Sequence, residues 1–92
     1  MKAYEAMYII QPNLQDEERA NFIKDLNSVF ANVEKVTEWG MRELAYEIND
    51  HTNGYYVVLD VNATKEEVKE FERVCNIKED CIRYMIIAKE EE

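Results

Sequence analysis

Apolar positions along this chain alternate between a strand-like and a helix-like spacing in six successive blocks. Residues 3–10 (AYEAMYII) carry aromatic and β-branched side chains on both parities and stop at Gln11-Pro12, which predicts a central strand. Pro12 breaks that strand, and Asn13 is placed to cap a helix whose first turns carry Asp16, Glu17 and Glu18, where the helix dipole favours anions. Phe22, Ile23, Leu26, Val29 and Phe30 then form one apolar stripe, predicting a helix from about residue 14 to 31. Residues 33–48 return to strand character, with Val36, Trp39, Leu44, Tyr46 and Ile48 on the apolar side and Leu44 and Tyr46 expected to fill core. Gly40 interrupts the alternation, as a bulge or a close backbone approach would. The segment NDHTNG (49–54) places Asn53-Gly54 between two strand-like runs, a hairpin-turn signal. YYVVLDVNA (55–63) reads as the third strand. Thr64 and Glu67 have capping-box spacing ahead of Val68, Phe71, Val74 and Cys75, and Asn76 is placed to stop this second helix. The last strand is CIRYMIIA (81–88), followed by Glu90-Glu91-Glu92, an end expected to fray.

The order β-α-β-β-α-β has one compact solution: a ferredoxin-like α+β sandwich, a four-stranded antiparallel sheet with both helices on one face. A chain of 92 residues has room for a single such domain, spanning 1–92. The other face of the sheet is left uncovered, and the period-2 alternation indicates what it shows. Glu5 marks the open side of the first strand, so Met7 and Ile9 share it while Tyr4, Ala6, Tyr8 and Ile10 face the helices. Asp60 and Asn62 mark it in the third strand, with Tyr56 and Val58, and Arg83 marks it in the last, with Met85, Ile87 and Lys89. An apolar centre of that size is seldom left wet in a monomer. A protein partner would cover it; bulges that shift the register, or a folded-back C-terminus, would do so from within the chain.

Composition narrows the function. Hydrophobic residues make up 47% of the chain, with two Gly and one Pro, which argues against disorder. No apolar run approaches the length of a spanning helix, and no cleavage site follows Lys2, so the expected location is cytoplasmic. Eleven Lys and Arg stand against twenty Asp and Glu, a net charge of −9. Nucleic-acid-binding domains usually neutralise phosphates with a cationic surplus. This chain lacks that surplus, so any contact with RNA is confined to a small basic patch or is made beside a basic partner. Cys75 and Cys81, with His51 the single histidine, match no zinc spacing and are expected to stay thiols, Cys75 in the core. Catalytic chemistry is not expected either: two glycines cannot build a phosphate-cradling loop, His51 lies in a polar loop with no nucleophile in sequence context, and Gln11-Pro12-Asn13-Leu14 holds no basic residue for an oxyanion site. No cofactor is implied.

Gly54-Tyr55-Tyr56-Val57-Val58-Leu59 is similar to the glycine-aromatic core of the first ribonucleoprotein motif of RNA-recognition domains, whose exposed rings stack on bases. Here Asn53 replaces the basic residue before the glycine, and the first strand offers Met7 and Ile9 rather than a second exposed ring. A more specific resemblance covers the chain from about residue 2 to 88. Trp39-Gly40-Met41-Arg42-Glu43-Leu44-Ala45-Tyr46-Glu47-Ile48 resembles the signature of the bacterial small-subunit ribosomal protein S-six family, and Tyr4-Glu5, Pro12, Gly54-Tyr55-Tyr56 and Ile82-Arg83-Tyr84-Met85 agree with it in order. The resemblance implies a structural role in the ribosome, bound to small-subunit ribosomal RNA together with a basic neighbour, small-subunit protein S-eighteen. Such a neighbour would answer the charge problem, because a cationic partner can neutralise the phosphates and recruit the acidic chain. The family often has a basic residue where this chain has Met41 and Asp50, and its long acidic tail is reduced here to three glutamates. Under this resemblance Lys2, Arg42 and Arg83 are the candidate phosphate or sugar contacts and Tyr56 the candidate stacking residue, with Lys35 and His51 behind them. Trp39 is assigned to packing at the core edge in preference to the alternative of an RNA platform, and Met7, Ile9 and Met85 to the protein partner. The competing reading, from another functional class, is a ferredoxin-like regulatory or small-ligand module that homodimerises through its open sheet.

Overall fold

The computed structural model describes residues 2–48 and 50–89. Its elements are β1 (Lys2–Ile10), α1 (Asp16–Asn27), β2 (Asn32–Ile48), β3 (His51–Ala63), α2 (Lys65–Ile77) and β4 (Cys81–Ala88). The strands form one antiparallel sheet in the order β2-β3-β1-β4, and both helices pack on the same face, as the ferredoxin-like sandwich requires. Neither helix is long and apolar enough to cross a membrane.

The main core lies between helices and sheet. Ala6, Tyr8 and Ile10 of β1 and Val57, Leu59, Val61 and Ala63 of β3 meet Phe22, Ile23, Leu26 and Phe30 from the first helical segment and Phe71 and Cys75 from α2. Phe71 is fully buried, with the rings of Phe30, Tyr84 and Tyr8 at centroid distances of 5.4, 6.1 and 6.2 Å. Burying a side chain of this kind contributes roughly 1.5–3 kcal/mol. Tyr8 is also fully buried, and its hydroxyl is satisfied by donating to Asn27 Oδ1 at 2.9 Å. Burial pushes that hydroxyl's pKa well above the ordinary phenol value, so it stays a donor.

The ends of α1 differ from the sequence expectation. Gln15, not Asn13, is the N-cap, and it makes no side-chain cap bond. The Asn13 N–H is instead taken by Gln11 Oε1 at 2.8 Å, within the turn that follows Pro12. At the other end the helix stops at Asn27, and Val29 and Phe30 donate to Leu26 and Asn27 carbonyls three residues back. That tighter turn still carries Phe30 into the core, which is why the apolar period outlasts the helix. The start of α2 follows the capping box: Glu67 N–H donates to Thr64 Oγ1 at 3.2 Å, and Thr64 N–H donates to Glu67 Oε1 at 3.0 Å. Glu67 Oε2 also accepts from Ala31 N–H at 2.8 Å, tying α2 to the α1–β2 connection. These bonds, that from Ala31 first, hold the Glu67 carboxyl below its usual pKa range. The helix continues past Asn76 to Ile77.

The β2–β3 hairpin turns elsewhere than predicted. Ile48 pairs with His51, and Asp50 sits in the left-handed region at φ +66°, so the chain reverses before Asn53-Gly54, which lies inside β3 opposite Glu43 and Arg42. Gly54 is a glycine because of space: a Cβ there would overlap Ile9 Cγ2 and reach Ile82 Cδ1 at 3.5 Å. Asn49, the first residue of the predicted loop, and the end expected to fray, Glu90-Glu91-Glu92, lie outside the described residues.

Candidate functional site

The open face is a grid read directly from strand pairing. One row across the sheet runs Arg83–Ile9–Tyr56–Gly40, the next Met85–Met7–Val58–Thr37, and a third Ile87–Glu5–Asp60–Lys35. The predicted parity of β1, β3 and β4 is therefore the observed one. Neighbouring strands sit about 4.8 Å apart, so residues in one row lie side by side.

The far end of β2 departs from that grid. Between the pairs Glu43–Asn53 and Ile48–His51, four residues of β2 face Thr52 alone. This long bulge brings Leu44 over the open face, where it is 7% exposed and forms a second, smaller core with Ile9 and Ile82, joined by Ile48 and Tyr56. Part of the apolar face is thus covered from within the chain. Ile9, expected as an exposed partner contact, is only 2% exposed and belongs to this core. Met7 is half-buried, whereas Met85 and Ile87 are exposed beside it.

Tyr46, expected in the core, is 60% exposed. Its hydroxyl accepts a hydrogen bond from Arg83 Nη1, and the guanidinium lies 5.8 Å from the centre of its ring. The signature tyrosine therefore holds Arg83 in place at the wall of a shallow apolar recess of about 160 Å³, floored by Met7, Ile9, Leu44, Tyr56 and Met85.

A second bulge, between Glu38 and Gly40, sets the near side of the site. Gly40 adopts φ +85°, and a Cβ added there would meet nothing within 4 Å, so the glycine serves the backbone conformation alone. Trp39 is the extra residue of this bulge. It is 48% exposed at the edge of the smaller core, and its ring stacks on Tyr56, which packs against that core, with centroids 6.1 Å apart and planes 7° from parallel. The exposed Arg42 places its guanidinium 5.5 Å from the centre of the Trp39 ring. The opposite face of the same strand carries a separate polar network: Tyr55 donates to Glu38 Oε1 at 2.7 Å, and the Arg19 guanidinium lies over the Tyr55 ring at 4.3 Å.

Of the predicted contacts, the sheet brings Arg42, Tyr56 and Arg83 together at one end. Lys2 lies at the other end and, sharing the parity of Tyr4 and Ala6, on the helix side of the sheet; it is paired with the buried Ala63, seven residues and roughly 23 Å of strand from Ile9. Lys35 also lies in the far half, while His51 sits at the hairpin tip. Carboxylates gather at that far end. Glu5 is exposed, Asp60 pairs with Lys89 and raises its pKa, and Glu34 accepts from Asn62 Nδ2 at 2.6 Å. The open face thus has an aromatic and cationic end, a thioether and aliphatic middle, and an end rich in carboxylates. Both cysteines are free thiols, Cys75 buried. Its hydrogen bond with Cys81, together with burial, pushes the Cys75 thiol pKa up. Among the described residues no three His, Cys, Asp or Glu side chains gather to hold a metal ion.

The family model described as ribosomal protein S6 matches residues 3–88 of the chain. The crystal structure of 30S ribosomal protein S6 from Thermotoga maritima superposes with a TM-score of 0.91 at 29% sequence identity, over 96% of this chain and 87% of that one. The protein At3g17210 from Arabidopsis thaliana superposes with a TM-score of 0.50 at 12% identity, over 98% of this chain and 95% of that one, a likeness of fold alone.

Proposed function

Since the chain belongs to the ribosomal protein S6 family and is a small-subunit ribosomal protein, we propose that it acts as a scaffold that binds small-subunit ribosomal RNA jointly with a basic protein, small-subunit protein S-eighteen. The observation that carries this reading is the zoning of one sheet face in a chain of net charge −9. Two arginines cannot neutralise enough phosphates for tight binding alone, because affinity for nucleic acid scales with the number of counterions released. A cationic partner supplies the remainder, and the carboxylates of this chain speed and orient its docking.

In this reading each zone has its role. Arg42 and Arg83 meet phosphates or sugars, and Tyr56 meets a base. Met7 and Met85 contact the partner through apolar surface. Ile9 is left out of that set because Leu44 and Ile82 enclose it. Lys2, at the far end, makes a separate phosphate contact. The reading is tested by sedimenting the chain with small ribosomal subunits at moderate salt. Co-sedimentation in stoichiometric amount is the expected result; a chain that stays at the top of the gradient, free of subunits, refutes the assignment.

A further inference from the structure

We infer that Trp39 is a nucleobase-stacking residue, and that the Trp39–Tyr56 pair with Arg42 takes one unpaired nucleotide of RNA. The inference rests on the RNA-binding reading above but names a residue and a ligand class that the reading does not require.

Four observations converge on it. Trp39 is a large ring left 48% exposed on the open face, away from the helix-facing core that takes Tyr8, Phe22, Phe30 and Phe71. It is held out deliberately: the bulge at Glu38–Gly40 and the positive φ of Gly40 turn it onto the open face. Its position is then fixed by parallel stacking on Tyr56, so ordering the ring on binding costs little. Arg42, exposed and 5.5 Å from the ring centre, can swing from the indole to the phosphate of an incoming nucleotide.

The chemistry suits an acidic protein. Stacking on an aromatic side chain uses the neutral face of a base and needs no surplus of cations. A paired base in an A-form helix does not offer that face; an unpaired, splayed one does. The chain thus recognises RNA where charge matters least, with one cation at the phosphate. A protein side chain of the basic partner is the other class of occupant, and the test separates the two.

The experiment uses the full chain bound to its basic partner and to small-subunit ribosomal RNA. Trp39→Ala is expected to weaken RNA binding about 5- to 150-fold, the range that one base–aromatic stack provides, while Trp39→Phe retains most of the affinity. The salt slope is expected to stay unchanged in Trp39→Ala, which removes no phosphate contact, and to fall by about 0.7 in Arg42→Ala. Because Trp39 is the one tryptophan of the chain, a fluorotryptophan label reports on it alone. Its fluorine resonance is expected to move when RNA is added to the partner-bound chain and not when the partner is added to the free chain. A shift on partner addition alone makes the ring a protein seat and overturns the inference. Unchanged affinity in Trp39→Ala, in a complex that still forms with the wild-type chain, overturns it too and leaves the scaffold reading standing. Failure of the wild-type chain to bind RNA with its partner overturns the scaffold reading itself.

Discussion

Gly54→Ala is the sharpest probe of how the open face is built. Gly54 is buried in β3, and the added methyl would lie well inside contact distance of Ile9 Cγ2 on β1, with Ile82 Cδ1 closing the other side at 3.5 Å. Overpacking of this kind costs about 1–3 kcal/mol, and removing a strand glycine returns roughly 0.5–1 kcal/mol through the unfolded state. The net expectation is a loss of about 1–2 kcal/mol, equivalent to a Tm lower by about 4–16 °C for a domain of this size. The second arm is Ile9→Leu, which moves the branch away from Cβ and removes the offending Cγ2 methyl at a cost below about 1.5 kcal/mol. Urea denaturation of the wild type, both single variants and the double variant closes a cycle. The double variant is expected to be more stable than the sum of the single losses by at least about 0.5 kcal/mol, because the added methyl then has room. A neutral or stabilising Gly54→Ala, or strict additivity in the cycle, would refute the close approach of β3 to Ile9 and with it the account of why Ile9 is not partner surface.

Gly40 should behave in the opposite way. It has open space around it but φ +85°, so Gly40→Asn is expected to be cheaper by thermal melting than Gly40→Val, which carries a β-branched side chain into the left-handed region at about 1–2 kcal/mol. Thr64→Ala is expected to cost about 1 kcal/mol in chemical denaturation, since it removes one half of the α2 capping box. Glu67→Gln is expected to lose stability at neutral pH, and the gap from wild type should narrow as pH falls. The native carboxylate has a lowered pKa, so its contribution is complete above the ordinary carboxyl range and disappears as the native pKa is crossed from above. Leu44→Ala is expected to cost about 2 kcal/mol, the low end for a buried leucine because its site lies at the sheet surface, and to increase hydrogen exchange at its neighbours Ile9 and Ile82.

Where the side-chain period is unbroken, the sequence is a sufficient guide. Glu5 and Asp60 each mark the wet side of an uninterrupted strand, Arg83 marks it in β4 just past the irregularity at Ile82, and the rows of the open face follow from them. The β2 strand defeats that rule twice. Its bulge at Trp39-Gly40 releases a tryptophan, and the longer one after Glu43 sends Leu44 inward and leaves Tyr46 outside. The glycine after Trp39 signalled the first bulge but not the direction in which the ring would turn. Nothing local announced the second, because it is stabilised by Ile9 and Ile82 from other strands. The hairpin was misplaced for a related reason: Asn53-Gly54 is a turn pair by local chemistry, yet its glycine answers to a side chain more than forty positions away in sequence, Ile9. The candidate contacts Arg42, Tyr56 and Arg83 were legible as residue types; that they share one end of the face, with Lys2 apart, required the register.

The central claim is that this acidic chain holds RNA only in company. It is tested most directly by measuring the affinity of the chain for small-subunit ribosomal RNA across a range of salt, with and without the basic partner. The account predicts weak binding and a shallow slope for the chain alone, about −2.1 for three phosphate contacts by Lys2, Arg42 and Arg83, and much tighter, steeper binding once the partner is present. Equal affinity with and without the partner, with a steep slope for the chain alone, would contradict it.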